Sequence, residues 1–270
     1  MPVLGTLAYP AIDPVLFEVG PFAVRWYGLA YIAGFLVATW VFARLNRRWA
    51  VGLTSDDVLT ALLYCVVGVI VGARLGYVIA YGAGGFWQDP LAAFAIWDGG
   101  MSWHGGFVGI ILAGLLLSRR LGVDFLTLAD MAAVGAPVGF LFGRIANFIN
   151  NELWGRVTDV SWAMVPPGQT VARHPSQLYE ALLEGLVMLL VMLYLSRRRR
   201  GPGFFLGMFM ALYGVFRFGV EFVREPDIQL GYLFGWMTMG QLLSAPLIAL
   251  GVWMVWRSTR VSSGETQIRA

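Results

Sequence analysis

The sequence predicts an all-α, polytopic integral membrane protein of seven transmembrane helices, with the N-terminus outside and the C-terminus in the cytoplasm. Three observations lead there. The 270 residues are 58% hydrophobic and 13% charged with a mean hydropathy of +0.69, too apolar for a water-soluble domain with one buried core. Apolar runs lie at 23–43, 58–81, 104–118, 125–149, 178–195, 203–222 and 234–256, most of them near the roughly 20 residues that cross a bilayer. Arginine clusters at Arg44/Arg47/Arg48, Arg119/Arg120, Arg197–Arg200 and Arg257/Arg260 each follow an odd-numbered run. The positive-inside rule places all four in the cytoplasm if seven spans start from an external N-terminus.

In chain order, residues 1–22 read as a short external arm, with prolines and acidic residues but no basic start of a cleavable signal. The first run opens on Arg25, Trp26 and Tyr27, and the second carries Arg74, Tyr77 and Tyr81 on one face. The third, 104–118, is short and is expected to extend backwards through Ala92–Trp103 past a glycine-rich break at Asp98–Gly100. Gly135, Gly139 and Gly143 of the fourth run let a backbone or ligand come close. External loops are expected at Gly82–Trp103 and Asn150–Pro175, with Trp87, Trp97, Trp103, Trp154 and Trp162 marking the outer headgroup belt. Residues 258–270 read as a frayed polar cytoplasmic tail, so that 1–270 form one membrane domain with its bundle at 23–257.

Several function classes lose support. All nineteen basic residues are arginine, and they flank spans instead of forming a stripe with stacking aromatics, so no nucleic-acid partner is expected. Cys65, the only cysteine, allows neither an intrachain disulfide nor a CxxC site and reads as an inert buried thiol. With only His104 and His174, far apart and outside any HExxH, a zinc site has little support.

The polar groups inside the apolar runs carry the functional signal. GRIANFINNELWG at 143–155 places Arg144, Asn147, Asn150, Asn151 and Glu152 at the external end of the fourth run. A charge at mid-span costs about 2.5–3.5 kcal/mol, so such groups face a bundle interior, a wet cavity or a substrate. Arg144, Asn147 and Asn151 share a helical face, as do Tyr213, Arg217 and Glu221 of the sixth run, with Arg224 beside them. An Arg217–Glu221 pair would leave Arg144 without a counter-ion, so the two arginines are expected to share an anion such as phosphate. His104, in SWHGG, is the best general base of the chain; His174 lies beside Arg173, Gln177, Glu180 and Glu184, which read as a helix-entry network.

These residues resemble one family, the prolipoprotein diacylglyceryl transferases of the bacterial plasma membrane. The resemblance covers nearly the whole chain and rests on RWYGL at 25–29, GARLGYV at 72–78, SWHGG at 102–106, GRIANFINNELWG at 143–155, RHPSQLYEALLEG at 173–185 and GVFRFGVEFVREPD at 214–227. It implies transfer of the diacylglyceryl group of phosphatidylglycerol to the lipobox cysteine in the signal peptide of a prolipoprotein, releasing sn-glycerol 1-phosphate, with the active site towards the external face of the inner membrane. It also implies that His104, Arg144, Arg217, Tyr27, Asn147 and Tyr213 serve catalysis, and that Glu152, Gly155 and Glu221 join Arg144, Asn147 and Arg217 in substrate binding. Glu152 and Glu221 are expected to hold the arginines in place. The chemistry requires no metal or organic cofactor. The main rival is a lipid flippase or transporter that binds phosphate without cleaving it; a scaffold leaves the external charges unexplained, and an intramembrane protease lacks a serine–histidine or twin-aspartate arrangement.

Overall fold

Hydrocarbon satisfies no backbone N–H or C=O, so apolar runs of this length fold as helices. A computed structural model describes residues 7–20, 22–81, 100–226 and 231–268. The helices are α1 (Trp26–Trp49), α2 (Ser55–Tyr81), α3 (Trp103–Leu121), α4 (Phe125–Gly135), α5 (Pro137–Ile149), α6 (Ser176–Glu180), α7 (Met188–Leu195), α8 (Phe204–Val220) and α9 (Met239–Ile268), with a π-helical segment at Ala181–Val187 between α6 and α7. Among the described residues, six helical stretches are long and apolar enough to cross a membrane: Trp26–Trp49, Ser55–Ala80, Trp103–Leu121, Phe125–Ile149, Ser176–Leu195 and Met239–Arg260. The apolar helix Phe204–Val220 is shorter, at 17 residues.

Several expectations change. The arm is not without secondary structure: β1 (Val15–Val19) and β2 (Phe22–Arg25) pair antiparallel, so the chain is not purely α and the first span starts at Trp26. The third span starts at Trp103, where Ser102 caps α3 by accepting the Gly105 N–H at 3.2 Å, and runs forwards to Leu121, where Gly122 at φ +64° ends it; the backward extension through Ala92–Gly99 lies outside the described residues, as do Trp87 and Trp97. The fourth span is two helices, broken at Ala136 because Pro137 has no N–H to continue the ladder. The tail does not fray at Ser258, since α9 runs on to Ile268 and extending a formed helix carries no nucleation cost. Trp154 leaves the belt: it is 8% exposed and packs with Phe148 and Tyr9.

The chain falls into two compact units, Met1–Leu45 with Asp130–Ala270, and Asn46–Ala129. In the second, α2 and α3 meet backbone to backbone. A Cβ on Gly72 would lie 2.7 Å from the Gly109 Cα, and one on Gly76 would lie 2.6 Å from the Gly105 Cα. Small residues allow this approach, which gives dispersion contacts where lipid offers no hydrophobic drive. The glycines singled out on the fourth span behave less uniformly. A Cβ on Gly135 would touch Ala38 at 3.2 Å, whereas Gly143 has nothing within 4 Å.

In the larger unit, α8 and α9 pack through Gly207, Gly214 and Gly251, and a Cβ on Gly251 would lie 2.6 Å from the Ala211 nitrogen. The first turn of α8 is capped from α4. Asp130, 3% exposed, accepts the backbone N–H of Gly203 and of Leu206, both at 2.8 Å. An acid at a helix N-terminus satisfies donors that hydrocarbon would leave unpaired.

Removing that acceptor by Asp130→Ala should destabilise the protein by about 1–3 kcal/mol, while Asp130→Asn, which keeps one acceptor oxygen, should lose less; equilibrium unfolding in mixed micelles measures both. Gly72→Leu should force α2 and α3 apart and lower the thermal midpoint, whereas Gly143→Ala should change the unfolding free energy by no more than about 0.5 kcal/mol.

Candidate active site

Three arginines in the larger unit converge on one carboxylate. Glu180 ends α6, where Pro175 starts the helix and the Ser176 and Gln177 side chains tie it to the preceding loop by donating to the carbonyls of Leu153 and Glu152. Its Oε2 lies 2.8 Å from Arg144 Nη2, 3.3 Å from Arg217 Nη1 and 3.3 Å from Arg224 Nη1. Glu180 has no exposed surface, and the arginine side chains retain 18%, 15% and 12% of theirs. The expectation that Arg144 lacks a counter-ion is therefore corrected. The π-helical segment follows directly. It carries Glu184, whose Oε2 is 4.0 Å from Arg144 Nη2, and Gly185, where a Cβ would lie 2.7 Å from the Leu141 Cα and hold α5 away. Both Glu184 oxygens are buried without a hydrogen-bond partner. Glu180 and Glu184, read from the sequence as a helix-entry network, thus belong to the charged centre; two acids four residues apart in an apolar span were the signal.

On the other side, Glu221 closes the C-terminal end of α8. It pairs with Arg217 one turn earlier, as the four-residue spacing allows, and lies 3.9 Å from Arg224 Nε. Gly240, at the start of α9, leaves room for it: a Cβ there would sit 2.9 Å from the Glu221 Cγ. The backbone after α8 is held by the loop that follows α5. Gly155 forms an antiparallel bridge with Arg224, and the Arg156 N–H donates to the Val223 carbonyl at 2.8 Å. The Arg156 guanidinium donates to the Arg224 and Glu221 carbonyls, both at 2.9 Å, with the Tyr232 ring at 5.3 Å from its carbon. These are helix-terminal carbonyls that would otherwise be orphaned.

Gly155 is a packing position in this frame: a Cβ would fall 2.9 Å from the His174 Cβ and 3.0 Å from its carbonyl oxygen. Its N–H donates to His174 and its carbonyl accepts from Arg173 Nη1, at 2.9 and 3.0 Å. Burial holds the His174 imidazole below the usual histidine range, and its Nδ1 shares a 3.1 Å hydrogen bond with the Tyr179 hydroxyl.

Glu152 does not hold an arginine. Its two oxygens accept from Asn147 Nδ2 and Asn150 Nδ2, each at 3.1 Å, and its N–H donates to the Asn147 carbonyl at 2.9 Å. The chain turns sharply here, with Asn151 and Leu153 both at φ +59°. Asn151 tolerates that conformation and accepts the Trp154 Nε1–H at 2.7 Å; Leu153 is an uncommon left-handed residue, its carbonyl held by Ser176. The structure thus gathers Arg144, Arg217 and Glu221 into one network, with Asn147 on the last turn of α5 and Glu152 and Gly155 in the loop beside it.

The remaining predicted residues stand apart from these bonds. Tyr213 lies one turn before Arg217 on α8, its ring 5.1 Å from Phe140 of α5. Tyr27, at the start of α1, shares a 3.2 Å hydroxyl contact with Tyr31. His104 belongs to the other unit. It is exposed in the first turn of α3, 5.3 Å from the Trp103 ring. In the same unit Arg74 donates to the Gly100 carbonyl at 3.1 Å and lies over Tyr77; the Tyr81 side chain is outside the described residues.

A profile described as "Prolipoprotein diacylglyceryl transferase" matches residues 14–257. Proteins named phosphatidylglycerol–prolipoprotein diacylglyceryl transferase from Brucella ovis and Brucella abortus are each 48% identical over 270 residues, covering 96% of both chains. The counterpart of the same name from Brucella canis is 47% identical with the same coverage. With its polytopic helices and its arginines collected at one buried carboxylate, the chain belongs to the prolipoprotein diacylglyceryl transferase family.

Proposed function

We propose that this chain transfers the diacylglyceryl group of phosphatidylglycerol to the lipobox cysteine thiol of prolipoprotein signal peptides, forming a thioether and releasing sn-glycerol 1-phosphate, the first step of bacterial lipoprotein maturation. The convergence of Arg144, Arg217 and Arg224 is the observation that carries the reading. Guanidiniums bind phosphate oxygens in pairs, and few other ligands call for three of them at the end of apolar helices.

The substrate thiol supplies the nucleophile. As thiolate it attacks the glyceryl carbon, and the bond from that carbon to the phosphate oxygen breaks. The phosphodiester leaves as a monoester, its charge rising from one negative towards two. Arg144 and Arg217 stabilise charge that grows in the transition state, so they accelerate the reaction beyond tightening lipid binding. A free thiol titrates near 8.5, and His104 takes its proton. Asn147 and Tyr27 hydrogen-bond the headgroup or ester oxygens, Tyr213 lines the approach to Arg217, Glu221 holds Arg217, and Glu152 and Gly155 fix Asn147 and the loop beside the arginines.

Counting Phe204–Val220 as a span gives seven, and the four arginine clusters then lie in the cytoplasm with the N-terminus outside. At 17 residues this helix covers about 26 Å, short of a roughly 30 Å core, and the turn at Glu221–Val223 adds length where the charged centre begins. In this arrangement the chain is a multi-pass protein of the bacterial inner membrane with its active site on the external side, where secreted precursors emerge.

Purified protein given phosphatidylglycerol labelled in its diacylglycerol and a synthetic lipobox peptide should form labelled thioether. Arg144→Ala should lower kcat by about 10²–10³-fold, and His104→Ala by about 10²–10⁴-fold. Folded wild-type protein that binds the lipid and forms no thioether would instead support a phosphate-binding lipid transporter. Because the nucleophile belongs to the substrate, Cys65→Ser should retain activity within about twofold, and its loss in a folded variant would overturn this assignment.

A further inference from the structure

Glu180 stands where a ligand oxygen belongs. Its Oε2 accepts from Arg144, Arg217 and Arg224 at 2.8, 3.3 and 3.3 Å, and its Oε1 is 3.3 Å from Arg224 Nη1. One buried anion taking donors from three guanidiniums is the arrangement a phosphate group would adopt in the same seat. Glu180 and Glu221 already occupy donors of Arg144, Arg217 and Arg224, so an incoming phosphate finds guanidinium donors to spare only when a carboxylate gives way. Glu184 offers Arg144 a second acceptor one turn along, at 4.0 Å and with neither oxygen hydrogen-bonded.

Charge also decides which ligand is the harder to release. The diester carries one negative charge and the leaving monoester up to two, so guanidiniums without a competitor hold product more tightly than substrate. We infer that Glu180 is an internal stand-in for the lipid phosphate. It keeps the three guanidiniums gathered when no lipid is bound, yields to the phosphate of phosphatidylglycerol, and returns to expel glycerol phosphate. The inference rests on the reading above that these arginines seat the lipid phosphate.

The test uses the full-length chain in phosphatidylcholine nanodiscs, as wild type, Glu180→Gln and Glu180→Asp, titrated with sn-glycerol 1-phosphate by calorimetry and assayed for product inhibition of diacylglyceryl transfer. Glu180→Gln should bind sn-glycerol 1-phosphate at least about tenfold more tightly than wild type, with lower KM for phosphatidylglycerol, lower kcat and stronger product inhibition. Glu180→Asp, with a carboxylate too short to meet all three arginines, should fall between. Where Glu180→Gln leaves the arginines too poorly paired to fold, Glu180→Asp carries the same sign, and added product should raise its thermal midpoint more than that of wild type. Equal or weaker product binding in the folded variants overturns the inference and makes Glu180 a positioning residue only. Active wild-type enzyme that binds no sn-glycerol 1-phosphate removes the phosphate seat, and the stand-in with it. Wild-type protein that binds the product without transferring the diacylglyceryl group, with tighter binding in the variants, upholds the stand-in while overturning the transferase.

Discussion

A single buried carboxylate, Glu180, organises the charged centre of this protein. Three guanidiniums at the edge of hydrocarbon repel one another and cannot be solvated as they are in water. Arg144 reaches the centre from α5, Arg217 from α8 and Arg224 from the turn after it, and Glu180 meets all three. Leaving a buried charge unpaired costs about 3–5 kcal/mol, more than most single packing defects. The positions of α5, α6 and α8 are therefore coupled through one side chain.

The surrounding structure is arranged so that this coupling is tight. Gln177 and Ser176 fasten the start of α6 to the turn after α5, while the Gly155–Arg224 bridge and the Arg156 guanidinium fasten the end of α8 to the same loop. Gly155 and Gly240 are small because a backbone passes one and the Glu221 side chain fills the space at the other. These are main-chain constraints, largely independent of the charges they orient. An arginine placed by hydrogen-bonded backbone needs little reorganisation when charge develops on a ligand, and catalysis by fixed donors depends on that.

On the proposal that this centre seats a phosphate, ions of both signs in one place let it bind an anion and then release it. Guanidiniums alone would hold a dianion most strongly of all. Carboxylates mixed among them compete for the same donors and leave the balance to small movements of side chains. Glu184, on a π-helical turn that departs from regular helix geometry, meets Arg144 only at 4.0 Å and has no hydrogen bond to either oxygen.

Much of this was legible in the sequence. Seven apolar runs, arginines after every second one, and polar groups at helical spacing near Arg144 and Arg217 are local patterns, and membrane helices satisfy their backbone locally. The Arg217–Glu221 spacing of four residues allowed the pair for the same reason, although the sequence pointed instead to an anion shared by Arg144 and Arg217. The partner of Arg144 was not, because Glu180 lies 36 residues away and joins it only when α6 packs on α5. Composition also assigned Trp154 to the headgroup belt, whereas the left-handed turn at Asn151 and Leu153 folds it inwards onto Phe148 and Tyr9. The sequence by itself determined the helices, the kinds of charge they carry and the family; which charges meet was decided by tertiary structure, since an ion pair depends on distance in space and side-chain spacing reports distance only within one helix.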